Sequence, residues 1–319
     1  MAENIILDRN LTIEAVRVTE AAAIAAAETM GRGDEKIADQ AAVDAMRTAL
    51  NRLQMAGTVV IGEGERDEAP MLFIGEEVGT GNGPKIDIAL DPLEGTTITA
   101  KGMPNGLAVL ALSEHGGLLN APDVYMDKIA AGPLVPPGAI DLDNTAGENV
   151  ANVAKALGKD TKDVVACILD RPRHGELIAA VREAGARIVL IGDGDVAGVM
   201  ATAMPETGID LYMGTGGAPE GVLAAAALRC IGGNIQGRLL FRNDDERGRA
   251  AKVGVEDLNR KYEITDLASG DVIFAVTGVT DGNMLQGVRR TAKYLSTESV
   301  AMRARTGTVR WIRMQHPIK

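Results

Sequence analysis

The hydrophobic and polar positions change period several times along the chain, and each change marks an element. Leu11, Ala15, Val18, Ala22 and Ala25 recur at helical spacing, which predicts a helix over 11–30. Gly31-Arg32-Gly33 stops it, and Asp34 is placed to cap a second helix that runs to about Met55 and ends at Gly57. The period then changes. Residues 58–61 and 86–90 are short β-branched runs, each leading into an acidic loop, with a short helix expected over 69–76 between them. Residues 107–112 read as another strand.

The second half alternates. Strands are expected over 164–169, 187–191 and 209–213, and helices over 175–184, 195–204 and 220–230. Such alternation predicts crossover units and a parallel sheet, with ligands bound beyond the carboxyl ends of the strands. Those ends carry Arg171-Pro172-Arg173-His174, Gly192-Asp193-Gly194-Asp195 and Gly214-Thr215-Gly216-Gly217. Residues 271–277, 296–305 and 308–314 predict further strands. The Pro- and Gly-rich stretch 132–138 is the best domain boundary, dividing the chain into 1–134 and 135–319.

Composition narrows the function. A chain of 319 residues has room for two ordinary domains or one large α/β unit, and 46% hydrophobic with 24% charged residues is a globular ratio. Lys and Arg total 33 against 44 Asp and Glu, a net charge of −11, which argues against a general nucleic-acid binder or an anionic membrane surface as partner. No run of about 18 apolar residues predicts a transmembrane helix, and the first residues lack a secretory pattern. Cys167 and Cys230 lie in apolar runs and read as buried thiols of a reducing compartment, so a soluble cytoplasmic protein is expected.

Carboxylates stand where a core is expected. Asp39 shares a helical face with Val43, Met46 and Leu50. An ionised carboxylate there is costly unless paired or metal-bound; the alternative is a half-wet acid favoured by the helix dipole, and both stay open. Gly62-Glu63-Gly64-Glu65-Arg66-Asp67 and Asp91-Pro92-Leu93-Glu94-Gly95-Thr96 each follow a strand. The first could be a solvated turn. The second joins an acid at a strand end to another three residues on, then a glycine that permits close backbone approach. With neither His nor Cys among them, these clusters suit Mg²⁺ or Mn²⁺ rather than zinc or copper. Carboxylates, divalent cations and a nearby Thr96 hydroxyl suggest metal-assisted phosphate hydrolysis.

Arg171 and Arg173 make a plausible phosphate clamp, or an ordinary surface loop pairing with Glu176. Gly192-Asp193-Gly194-Asp195 superficially matches a dinucleotide fingerprint, but its aspartates would repel a pyrophosphate and would better accept bonds from sugar hydroxyls. Glu220 is either a first-turn acid serving its helix or a metal ligand.

Taken together, Gly62-Glu63-Gly64-Glu65, Asp67-Glu68-Ala69-Pro70-Met71-Leu72, Asp91-Pro92-Leu93-Glu94-Gly95-Thr96, Leu119-Asn120-Ala121-Pro122-Asp123 with Tyr125-Met126, and Gly216-Gly217-Ala218-Pro219-Glu220-Gly221 resemble the class II fructose-1,6-bisphosphatases of the GlpX type. The resemblance spans nearly the whole chain. It implies an α/β fold of the lithium-sensitive phosphatase type, a two-domain layered α-β-α-β-α sandwich with an N-terminal metal-binding and a C-terminal sugar-phosphate-binding domain. It also implies metal ligation by Asp39, Glu63, Asp91, Glu94 and Glu220. Substrate contacts carry over to Glu94, Gly95, Thr96, Tyr125, Arg171, Arg173, Asp193, Asp195 and Gly217, with Asp67 and Thr96 as the catalytic pair. Asp67 positions or deprotonates the attacking water, and Arg171 and Arg173 hold the phosphate that is not cleaved. The implied reaction is hydrolysis of the 1-phosphate of fructose 1,6-bisphosphate, a gluconeogenic step, in a homo-oligomer (dimer or tetramer). The rivals are a dual enzyme that also cleaves sedoheptulose 1,7-bisphosphate, a non-catalytic sugar-phosphate sensor and a nucleotide-dependent oxidoreductase.

Overall fold

The computed structural model describes residues 7, 10–63 and 72–318. Asp67 and the motif around it lie outside the described residues. The chain opens with α1 (Leu11–Ala27), α2 (Glu35–Leu50), β1 (Ala56–Ile61), β2 (Glu77–Val78), β3 (Lys85–Glu94), α3 (Thr96–Ala100) and β4 (Leu107–Glu114). It continues through β5 (Tyr125–Ala131), α4 (Ala146–Leu157), β6 (Val165–Leu169), α5 (Gly175–Glu183), β7 (Arg187–Ile191) and α6 (Asp195–Ala201). Then come β8 (Leu211–Gly217), α7 (Ala218–Ile231), β9 (Asn234–Leu240), α8 (Asp244–Lys252), β10 (Lys261–Glu263) and α9 (Ile264–Leu267). The last elements are β11 (Val272–Gly278), β12 (Arg289–Arg290), β13 (Tyr294–Arg303) and β14 (Thr308–Pro317).

These elements form two compact units of mixed α/β structure. One is Met1–Leu119 with Ser269–Lys319; the other, Asn120–Ala268, is an insertion between those two pieces. The Pro- and Gly-rich stretch 132–138 connects β5 to α4 within the second unit, so the chain leaves the first unit earlier and returns to it later than a single boundary at 134 describes.

In the first unit, strands from both ends of the chain share one sheet of order β12-β13-β11-β4-β3-β1-β2, with β14 also paired to β13. Helix α1 packs on β11, β13 and β4 and lies against α2. Its alanines explain the close fit: Ala15, Ala22, Ala23 and Ala26 are fully buried and hold the helix near the sheet without large side chains between. Asp34 caps α2 by accepting from Ile37 N–H at 3.1 Å, and Val43, Met46 and Leu50 are buried as the spacing predicts. The expected helix over 69–76 is not formed in its described part. Residues 74 and 75 are a turn, and the Arg47 guanidinium grips Glu76 at 2.7 and 3.1 Å, tying that turn to α2.

The second unit holds a sheet of order β10-β9-β5-β8-β6-β7. It is mixed rather than parallel: β6 pairs parallel with β7 and β8, but β5 runs antiparallel to both β8 and β9. Strands β5 and β9 escape a hydrophobic pattern because Asp127, Lys128, Gln236 and Arg238 interrupt them. The core of this unit gathers Ile129, Val150, Val153, Ile168, Val181 and Leu211.

Leu110 is fully buried in β4, paired with Leu90 of β3 and Ala275 of β11. Leu110→Ala is expected to lower the unfolding free energy of the protein by about 2–5 kcal/mol in urea denaturation, through lost burial and the cavity left behind.

Candidate active site

In the first unit, β3 carries an irregularity that aligns two carboxylates. Asp91 pairs with Val109 and Glu94 with Leu107, so three steps along β3 match two along β4. Leu107 and Val109 are two apart and share a face. The extra residue therefore returns Glu94 to the face of Asp91, whereas a regular strand would oppose residues three apart. Asp91 Oδ1 accepts from Leu93 N–H at 3.0 Å, which braces the bulge, and Glu94 is buried. Gly95 follows with φ of 89°, a left-handed conformation that suits glycine, and its carbonyl accepts from Thr99 N–H as α3 begins at Thr96. Thr96 thus opens a helical turn directly after the two acids.

The neighbouring strand brings the next acid. Ile61 at the end of β1 pairs in parallel with Ala89, and Glu63 and Asp91 each lie two residues further on. Glu63 N–H donates to Leu72 O at 2.8 Å. Asp39 comes from α2, which packs on β3 and α3. Its Oδ1 is closed to solvent and has no hydrogen-bond partner among the described residues, and burial raises its pKa.

In the second unit, Gly216 and Gly217 at the end of β8 clear space for charge. A Cβ on Gly217 would fall 1.9 Å from Glu220 Oε2, and one on Gly216 would fall 2.0 Å from Asp195 Oδ2. Glu220 stands in the first turn of α7 with Pro219 before it, as the first-turn reading expects. Its Oε2 is buried and lacks a hydrogen-bond partner among the described residues. Burial pushes its pKa up to about 7, with the Asp195 carboxylate adding to the rise and the Lys128 ammonium opposing it.

Beside these acids lies a cationic face. Tyr125 pairs across the sheet with Gly217 and with Leu240, and the guanidiniums of Arg173 and Arg242 each stand 4.9 Å from its ring centroid. Arg173 is fixed by donating from Nε and Nη2 to Thr215 O at 3.0 and 2.7 Å. Arg171 donates to Gly192 O and stands 3.7 Å from Asp193, so these two arginines brace the loop after β7 and the end of β8, not Glu176. His174 is a structural residue: it bonds Leu169 O at 2.7 Å and accepts from Thr215 N–H at 2.8 Å. That pairing fixes the proton on Nδ1.

The structure thus gives Asp91 and Glu94 one face in the first unit, and gathers Asp195, Gly217 and Glu220 in the second. Among the described residues no three His, Cys, Asp or Glu side chains stand close enough to hold one ion. The fit to a cation rests instead on donor chemistry: Asp39 and Glu220 each keep a buried carboxylate oxygen without a hydrogen bond, a state a divalent cation would relieve. Two residues here escaped sequence reasoning. Lys128 sits in a strand whose polar middle hides it, and Arg242 looks like a helix-capping surface charge, though its pairing with Glu246 four residues on was a usable signal.

If Mn²⁺ or Mg²⁺ binds at Glu220, it would have to displace the proton that burial favours there. Calorimetric affinity for either cation is therefore expected to fall by up to about tenfold per pH unit below about 7. Gly217→Ala, which drives a methyl group into the carboxylate, is expected to weaken that affinity by roughly 10–100-fold.

Comparison with known proteins follows the same residues. The model of a family described as bacterial fructose-1,6-bisphosphatase, glpX-encoded, matches residues 9–316. The chain is 45% identical over 335 residues to the D-fructose 1,6-bisphosphatase class 2/sedoheptulose 1,7-bisphosphatase of Synechococcus sp. (strain JA-3-3Ab), covering 97% of this chain and 96% of the relative. It is 46% identical over 322 residues to the fructose-1,6-bisphosphatase 1 class 2 of Escherichia coli (strain K12), covering 97% and 95%. This chain belongs to the family of bacterial, glpX-encoded fructose-1,6-bisphosphatases.

Proposed function

We propose that the protein is a metal-dependent phosphatase that hydrolyses the 1-phosphate of fructose 1,6-bisphosphate, giving fructose 6-phosphate and phosphate. The observation that carries the reading is the pair of solvent-closed carboxylate oxygens, Asp39 Oδ1 and Glu220 Oε2, in a chain of this family. Asp39, Glu63, Asp91 and Glu94 in the first unit and Glu220 in the second are the candidate metal-binding carboxylates. Divalent cations, Mg²⁺ or Mn²⁺, would supply neutralisation of phosphate charge and a lowered pKa of bound water.

The chain's own residues do the rest. Arg171 and Arg173 hold the phosphate that is not cleaved, each braced by a backbone carbonyl so that little side-chain freedom is lost on binding. Asp193 and Asp195 accept from sugar hydroxyls, and Tyr125 and the Gly217 backbone line the sugar. Glu94, Gly95 and Thr96 meet the scissile phosphate, where the Thr96 hydroxyl donates to an oxygen. Asp67 receives the proton of the attacking water. No side chain here is needed as a nucleophile, so no covalent phosphoenzyme forms.

The Synechococcus relative is named for two activities, which favours a second reading in which sedoheptulose 1,7-bisphosphate is also cleaved. We place the enzyme in the cytoplasm as a homo-oligomer (dimer or tetramer); two buried thiols outside any disulfide, Cys167 and Cys230, suit a reducing compartment. Among the described residues no helix is long and apolar enough to cross a membrane.

Phosphate release from both sugars, with and without cation, tests these readings. Asp91→Ala is expected to lower turnover by at least ~100-fold, the upper end of what loss of a supporting group costs a metal site. Undiminished turnover in that variant, or full activity in excess chelator, would overturn the proposal. Asp67→Ala should lower kcat with little change in KM.

A further inference from the structure

A lysine buried in a strand is expensive unless its ammonium is paired, and Lys128 is 1% exposed in the middle of β5. Its surroundings are built for it. The methylene stem runs under the start of α7, where a Cβ on Gly221 would come 3.3 Å from Lys128 Cδ. Nζ then donates to Asp195 at the first residue of α6 and to Gly217 O, the latter at 2.8 Å. Gly216 leaves the gap: a Cβ there would fall 2.0 Å from Asp195 Oδ2 and 3.0 Å from Lys128 Nζ. One side chain therefore ties β5, α6 and the β8–α7 junction together at the point where Asp195, Gly217 and Glu220 meet.

Charge counting gives this lysine a direction. Two carboxylates, buried Asp195 and half-buried Glu220, stand near one ammonium, and the hydrogen bonds award it to Asp195. Asp195 is held in one orientation, with the Gly217 backbone fixed beside it. Glu220 remains the acid whose oxygen lacks a hydrogen bond among the described residues. We propose that Lys128 is a positioning residue for substrate: it holds Asp195 and Gly217 in place for the sugar and leaves Glu220 to a cation. This rests on the proposed function and deepens it, because Lys128 acts through Asp195 and the Gly217 carbonyl rather than on the reacting phosphate.

The test uses full-length Lys128→Met, similar in length and uncharged. Loss of a charge-assisted bond predicts that KM for fructose 1,6-bisphosphate rises at least ~tenfold, while kcat at saturating substrate and saturating Mn²⁺ falls by a smaller factor. Mn²⁺ affinity, measured by calorimetry without substrate, is expected to stay the same or tighten, since a nearby positive charge is gone. A KM within twofold of the parent's, or a weakened Mn²⁺ affinity, would overturn the proposal. Gly216→Ala displaces the same ion pair while keeping both charges and predicts the same rise in KM; if Lys128→Met does not fold, this variant decides. A parent protein inactive on fructose 1,6-bisphosphate would instead defeat the functional reading on which the inference stands.

Discussion

A carboxylate oxygen shut away from water with nothing donating to it is a state that protein interiors avoid, and among the described residues each unit of this chain holds such an oxygen. In the first unit it belongs to Asp39, on a helix whose other inward residues are apolar; in the second it belongs to Glu220, beneath a glycine pair. Burial opposes ionisation at both. The arrangement makes sense when the missing partner is a cation, and the net charge of −11 then stops being a puzzle for an enzyme of polyanionic sugars. Cations bound to part of that charge, as proposed, would reverse the local field.

The backbone devices that deliver these oxygens are small. One extra residue in β3 puts Asp91 and Glu94 on a common face, and Gly95 turns the chain straight into Thr96. At the end of β8, two successive glycines do the opposite job by withholding side chains, so that Asp195, Glu220 and Lys128 can approach the strand itself. Arginines are treated with equal economy. Arg171 is anchored to the Gly192 carbonyl after β7 and Arg173 to the Thr215 carbonyl within β8, which fixes the direction of both side chains.

Much of this was legible in the residues. Asp39 on an apolar stripe, the Asp91-Pro92-Leu93-Glu94-Gly95 run at the end of β3 and the strand ends of the second half all announce themselves by breaking the local pattern. The misses have a common cause. Strands β5 and β9 carry polar residues at their centres, so the period-two signal is lost where the site needs charge, and the sheet looked parallel without them. The insertion of one unit into the other is equally invisible, because the closing strands β11, β13 and β14 look like ordinary tail strands until the pairing of β11 with β4, and of β13 and β14 in turn, is seen. Lys128 was missed for the same reason as its strand.

The most direct measurement of the central claim is hydrolysis of fructose 1,6-bisphosphate in ¹⁸O-enriched water, followed by ³¹P NMR. Attack at phosphorus, with cleavage of the P–O rather than the C–O bond, predicts that one ¹⁸O enters the released phosphate while the phosphate left on carbon 6 stays unlabelled. Release dependent on Mg²⁺ or Mn²⁺ and abolished by chelator completes the expected result. Label in the sugar hydroxyl instead of the phosphate, loss of the 6-phosphate, or turnover indifferent to chelator would contradict the account.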